Sequence, residues 1–196
     1  MKIEVVCAGI GGRGVLLASS ILMEAAIRAG HHALASDEYG MSQRGGSVVS
    51  LVKVGNFESP LIGRENADVL LAFEESEFYR NLVFLKKGGF AVINSAKDVL
   101  PQDVQKLIKK RKVKAFLVNA DGIAMDCKAI QASNMVLLGF LSQLSLAPFT
   151  YHNLKEAILE KTKGKSAEKN LEVFDKGHQS PGADRREMRK GRGLIR

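Results

Sequence analysis

The sequence predicts an α/β fold: a three-layer domain with a mostly parallel sheet, a Rossmann-like start and a helical C-terminal section. Three observations carry this. Short apolar runs alternate with helix-periodic segments from residue 2 to about residue 145, which is the signature of βαβ units. The run Ala67-Asp68-Val69-Leu70-Leu71-Ala72-Phe73 is apolar almost throughout, as a parallel strand covered on both faces requires. The glycine turn Gly9-Ile10-Gly11-Gly12-Arg13-Gly14 joins the first strand-like run to the first helical pattern.

The elements follow in order. Residues 3–8 read as a buried strand. Residues 13–29 place Val15, Leu16, Ile21, Leu22, Ala25 and Ala26 on a helical face that stops at Gly30. A second strand is expected at 32–36 and a third at 47–54, whose alternation of small, polar and apolar residues suits an antiparallel edge or a sheet partly covered by another subunit. Strands at 67–73, 89–94 and 114–119 are separated by helices at 74–87 and, opened by Pro101, at 101–112. Beyond 120 the pattern turns helical, with segments at about 129–146, 152–162 and 166–176. Met125, Met135 and Val136-Leu137-Leu138 are read as core. One domain is expected over residues 1–176, followed by a basic, flexible tail at 177–196.

Composition limits the function classes. The chain has 196 residues, enough for one full core. No apolar run reaches the roughly 20 residues that cross a bilayer, and the N-terminus enters a strand without a leader-like pattern. The net charge is +8, of which the residues from Lys176 onward carry +5, seven basic against two acidic. No aromatic residues interleave with those charges, so a solvated tail or subunit contact is expected, and neither nucleic acid nor membrane as partner. Two cysteines, Cys7 and Cys127, fall short of the about four thiolates an iron–sulfur cluster takes, and a reducing cytoplasm fits them. The four histidines show no metal-ligand spacing, so no metal site is expected.

Two segments have the composition of a site. In Tyr39-Gly40-Met41-Ser42-Gln43-Arg44-Gly45-Gly46, glycines let the backbone approach another surface and Arg44 offers a planar fork of donors for carboxylate or phosphate. In the glycine turn, Gly9, Gly11, Gly12 and Gly14 permit a tight bend, and the free N–H groups at the helix start attract an anion. Asp37 and Glu38 stand past the second strand, where a dinucleotide-binding protein keeps a ribose acid, so a free-standing NAD-binding protein is one reading. Arg13 inside the turn weighs against it, being a bulky cation where the pyrophosphate would approach. The cluster Glu74-Glu75-Ser76-Glu77 opens a helix, where carboxylates complement the dipole.

Read together and in order, Gly9 to Ala18, Tyr39 to Gly46, Ser59-Pro60-Leu61-Ile62 and Ala67 to Glu74 resemble the gamma-type subunit of 2-oxoacid:ferredoxin oxidoreductases. Gly40-Met41-Ser42-Gln43-Arg44-Gly45-Gly46-Ser47-Val48-Val49-Ser50 and Asn134-Met135-Val136-Leu137-Leu138-Gly139 are most similar to the beta subunit of indolepyruvate:ferredoxin oxidoreductase. The resemblance covers about residues 1–176. It departs at Arg13, where glutamine is common in the family, and in the basic tail. It implies a cytoplasmic complex that oxidatively decarboxylates a 2-oxoacid, most closely an arylpyruvate such as indolepyruvate, transfers the acyl group to coenzyme A and passes electrons to ferredoxin. Pyruvate, 2-oxoglutarate and branched-chain 2-oxoacids are the alternative substrates. Thiamine diphosphate and iron–sulfur clusters then belong to a larger partner subunit, and none is assigned to this chain alone. By the same resemblance Arg44 is the catalytic candidate, which with the N–H groups around Gly45 and Gly46 holds substrate carboxylate, coenzyme A phosphate or the partner subunit, and Gly9, Gly11, Gly12, Gly14, Gly45 and Gly46 are the cofactor-binding candidates.

Overall fold

A computed structural model of the chain describes residues 1–39 and 45–181. A six-stranded sheet in the order β2-β3-β1-β4-β5-β6 forms the middle layer. It is built from β1 (Ile3–Ile10), β2 (Ala33–Tyr39), β3 (Ser47–Val54), β4 (Ala67–Ala72), β5 (Leu85–Asn94) and β6 (Lys114–Val118). β1, β4, β5 and β6 pair in parallel, while β3 runs antiparallel to both β1 and β2. The expected antiparallel strand is therefore present, but it lies inside the sheet and β2 takes the edge. Its mixed composition has a different cause. Residues 47–49 reach the open end of the sheet and are half-buried, whereas 50–54 are enclosed between two strands and two helical layers.

One face of the sheet carries α1 (Val15–Arg28), α4 (Ala120–Asp126), α5 (Ser133–Ser142), α6 (Tyr151–Lys161) and α7 (Lys165–Gln179). Their apolar sides close over Val5, Cys7, Val52, Val69, Leu71 and Val92 to form the larger core. The other face carries α2 (Glu75–Asn81) and α3 (Gln102–Lys110), packed on Val6, Ala8, Leu70, Ala72, Ala91 and Ile93. All ten residues of α5 are buried, which explains a helix apolar on every side: sheet and helices surround it. Its approach to α7 is backbone to backbone. A Cβ placed on Gly139 would stand 3.0 Å or less from Phe174 O, His178 N and Gly177 C, so only glycine permits the contact.

Three expectations need correction. The helix expected at 74–87 ends at Asn81, followed by a 3₁₀ turn and by β5, which starts at Leu85. The first part of β5 carries exposed Lys86 and Lys87 before Gly88-Gly89 and shifts register against β4, so it shows no apolar period to read. The helix expected at 129–146 is a 3₁₀ turn, Ile130–Ala132, leading into the shorter α5, and α4 precedes it unannounced. Met135 and Val136-Leu137-Leu138 are core as expected, but Met125 is 61% exposed. The tail lies largely outside the described residues, and α7 continues to Gln179.

Candidate functional site at the carboxyl edge of the sheet

α1 leaves β1 on one face of the sheet, and α2 leaves β4 on the other. Because β1 and β4 are neighbours, the chain reverses its winding between them, and a crevice opens beyond their carboxyl ends. The sequence places its chemistry there. β1 ends in the glycine turn, β4 in Phe73-Glu74-Glu75, β5 in Asn94-Ser95 and β6 in Asn119-Ala120-Asp121.

The structure joins the two glycine segments that the sequence singled out. Gly11 N–H donates to Gly46 O at 2.9 Å, extending the β1–β3 ladder past the pair Ile10 and Ser47. Gly12 and Gly45 have positive φ, 93° and 83°, and open space where a side chain would stand, so their backbones are accessible to a ligand. Gly9 and Gly14 face protein instead. A Cβ on Gly9 would crowd Val15 and Phe73, and one on Gly14 would crowd the Asn134 side chain, whose Nδ2 donates to Gly14 O at 3.2 Å. Gly12 and Gly14 also border an open cavity of about 1000 Å³ rimmed by Lys128, Lys161, Lys163 and Lys169. Arg44, the catalytic candidate, lies outside the described residues.

Arg13 closes the crevice. Its guanidinium contacts Glu74 and, at 2.9 Å, Asp121 Oδ1, tying the glycine turn to the ends of β4 and β6. Asn94 holds the network from below: its Nδ2 donates to Asp121 Oδ2 at 3.0 Å and to Phe73 O at 3.2 Å, and its Oδ1 accepts from Ala120 N–H at 3.0 Å. The unusual residue of the turn therefore meets two carboxylates. A second network adjoins it, in which Glu75 accepts from Tyr79 O–H at 2.6 Å, Ser95 O–H at 2.8 Å and Lys97 Nζ at 2.9 Å. Bonding to Tyr79 first, then to Lys97, holds the Glu75 carboxyl below the usual range, and burial with the Glu75 bond pushes the Tyr79 hydroxyl up to about 12. Glu77 is buried and accepts from Ser47 O–H at 2.7 Å and Arg80 Nη1 at 3.0 Å.

The acidic cluster thus does more than complement the α2 dipole, since each of its three carboxylates has a tertiary partner. Asp121, Asn94, Ser95 and Lys97 escaped notice in the sequence. Their one legible signal is position, at or just beyond the last residues of parallel strands.

The geometry departs from a dinucleotide site in two ways. β3 separates β1 from β2, and Asp37 pairs across Ser50 with Cys7, so it sits two strand spacings from β1, about 10 Å, and before the turn rather than beyond it. The crevice itself holds three carboxylates, Glu74, Glu75 and Asp121, against two cations, Arg13 and Lys97, an unfavourable setting for a pyrophosphate. Iron–sulfur ligation does not fit either. Cys7 and Cys127 are both buried, and burial, with Asp37 adding to it, pushes the Cys7 thiol far above its usual range, away from the thiolate a metal needs. His31, His32, His152 and His178 join no cluster of potential metal ligands among the described residues. No described helix is long and apolar enough to cross a membrane.

Fold and edge together define the class: a Rossmann-like α/β protein with its switch point sealed by ion pairs and open glycine backbone at the rim. The chain belongs to the pyruvate ferredoxin/flavodoxin oxidoreductase family, whose sequence profile matches residues 4–180, and within it to the gamma/IorB type of subunit. The indolepyruvate oxidoreductase subunit IorB of Archaeoglobus fulgidus is 34% identical over 91% of this chain and 94% of its own length. The keto/oxoacid ferredoxin oxidoreductase gamma subunit of Geobacter sulfurreducens superposes with a TM-score of 0.71 and 26% identity, over 90% of this chain and 96% of that one. The 2-oxoglutarate:ferredoxin oxidoreductase of Magnetococcus marinus, solved with 2-oxoglutarate, coenzyme A and succinyl-CoA bound, gives a TM-score of 0.74 at 25% identity over 91% of this chain. This chain spans 30% of that longer one.

Proposed function

We propose that this chain is a subunit of a complex catalysing ferredoxin- and coenzyme A-dependent oxidative decarboxylation of 2-oxoacids, with an arylpyruvate such as indolepyruvate as substrate. The observation that carries the reading is the Gly11 to Gly46 hydrogen bond, which makes one edge of two glycine segments 35 residues apart in the chain. Such an edge brings the open backbone of Gly12 and Gly45 to one rim, where a ligand can approach without side chains in the way. The similarity to the A. fulgidus indolepyruvate subunit supports the substrate class.

Thiamine diphosphate and iron–sulfur clusters, held by a larger partner subunit, supply the decarboxylation and the electron transfer to ferredoxin. The residues of this chain bind and orient. Arg44, at the head of Gly45-Gly46, pairs its guanidinium with an anionic group, the substrate carboxylate or a coenzyme A phosphate. Gly12 and Gly45 supply accessible backbone, Gly11 and Gly46 fix the two segments to each other, and Gly9 and Gly14 set the turn through packing. The lysine-rimmed cavity beside Gly12 and Gly14 has the size and charge for the phosphates of coenzyme A. Arg13 offsets one of the two negative charges of Glu74 and Asp121, and the lysine-rimmed side rather than the acidic crevice is where a phosphate is held.

The test is the complex reconstituted with its larger subunit, assayed on indolepyruvate, phenylpyruvate, pyruvate, 2-oxoglutarate and a branched-chain 2-oxoacid. Preference for the aryl substrates is expected, and a preference for any other moves the assignment to that acid. Replacing Arg44 by Ala is expected to lower kcat/KM by about tenfold or more, the loss of one charge-assisted contact of roughly 1.5–3 kcal/mol. If the R44A complex assembled and kept its coenzyme A KM and its turnover, the segment would have no part in catalysis.

A further inference from the structure

Glu77 has no part in the chemistry described above, yet it is 1% exposed and sits on a helix of seven residues at the carboxyl edge. A carboxylate is buried at a cost unless its acceptors are filled, and these are filled by one strand and its own helix: Ser47 Oγ at 2.7 Å, Arg80 Nη1 at 3.0 Å and Asn81 Nδ2 at 3.4 Å. Asn81 also caps Glu77 O at 2.9 Å, fixing the turn of α2 that presents the carboxylate. Ser47 is the first residue of β3, directly after Gly45-Gly46 and three positions after Arg44. Alternation along β3 points Ser47 toward the same face as Val49 and Leu51, the face α2 covers. The entry to β3 is therefore held twice, by the backbone of Gly46 through Gly11 N–H and by the side chain of Ser47 through Glu77.

We propose that Glu77 is a positioning residue for the reaction, acting through Ser47 to fix the Gly45-Gly46 backbone at the rim of the crevice. A carboxylate is suited to the task. It accepts the serine hydroxyl more strongly than a neutral acceptor would, and at 1% exposure it is shielded from competing water on its own side of the bond. The inference rests on the reading that the edge formed by Gly45-Gly46, next to Arg44 in the chain, takes an anionic group of substrate or coenzyme A.

The experiment uses the reconstituted complex with Ser47→Ala, Ser47→Thr, Glu77→Ala, the double variant S47A/E77A and Arg44→Ala, measuring KM for coenzyme A and for the 2-oxoacid, kcat, and Tm. Loss of the serine hydroxyl is expected to raise the same KM that R44A raises, by about three- to tenfold for a charge-assisted bond, with a smaller change in kcat. Ser47→Thr, which keeps the hydroxyl, restores it. S47A/E77A raises that KM no further than the larger single variant, because both remove one connection. If R44A raises KM while S47A leaves it unchanged, or lowers only Tm, Glu77 is a structural residue and the inference is overturned. Should R44A itself leave both KM values and kcat unchanged, the functional reading fails, and the positioning role with it. Where E77A fails to fold, S47A and S47T still decide the matter.

Discussion

Arg13→Gln is the perturbation that most directly probes the sealed switch point. Arg13 bridges Glu74 and Asp121, with side-chain exposures of 32%, 24% and 42%. Partly exposed ion pairs contribute about 0.2–1 kcal/mol each, so the two together are worth roughly 1 kcal/mol. Removing the charge also leaves two carboxylates facing one another. Both touch one guanidinium and so lie within about 6 Å of each other, and the repulsion ranges from roughly 0.7 kcal/mol in bulk water to about 2.8 kcal/mol at an effective dielectric of 20. A half-exposed crevice lies nearer the first limit, so about 1 kcal/mol is added and the total is about 2 kcal/mol. For a chain of this size that lowers Tm by about 4–8 °C. Thermal unfolding followed by circular dichroism at low and at high salt is the assay. The deficit is expected at low salt and shrinks as salt screens the exposed carboxylates. A variant with wild-type Tm at low salt, or a deficit indifferent to salt, would refute the electrostatic account of the turn.

Two further outcomes follow from packing and titration. Gly139→Ala forces α5 and α7 apart by its clash with the α7 backbone; overpacking costs about 3 kcal/mol and better helix propensity returns about 1 kcal/mol, so urea unfolding should show a net loss of about 2 kcal/mol. An unchanged midpoint there would mean the helices are not in backbone contact. Tyr79, raised to about 12, is expected to show a late step in an ultraviolet titration, and Tyr79→Phe removes that step. Because its folded value lies above the unfolded one, its contribution to stability is complete below pH about 10 and declines as pH rises toward about 12. A titration without that late step, or one that Tyr79→Phe leaves unchanged, would remove the Glu75 to Tyr79 hydrogen bond from the picture.

Much of the fold was legible because strand and helix periods survive in sequence wherever one environment covers a whole element. The six strands were each found, and β3 matched its observed limits, Ser47 to Val54. Errors gathered where the environment changes within an element. Lys86 and Lys87 hide the opening of β5 because its start lies at the solvent-exposed end of the sheet. Met125 was grouped with the buried Met135, since hydrophobicity alone does not tell which side of α4 faces out.

For the site, sequence found the two glycine segments and the acidic cluster but not their partners. Gly11 and Gly46, or Arg13 and Asp121, are linked only through sheet order, and no local pattern encodes a contact over 108 residues.

The sequence by itself determined the fold class, the glycine turn, the family and the class of chemistry in which the chain takes part. These rest on local periodicity and on ordered motifs, which are properties of neighbouring residues. The tertiary structure alone decided that β3 lies between β1 and β2, moving Asp37 away from the turn, and that Arg13 is neutralised rather than offered to a ligand. It also placed the buried Glu77 carboxylate against Ser47, at the entry to β3. The reason is physical: burial and ion pairing depend on which strand ends lie side by side, and that order is fixed only when the whole sheet closes around its two cores.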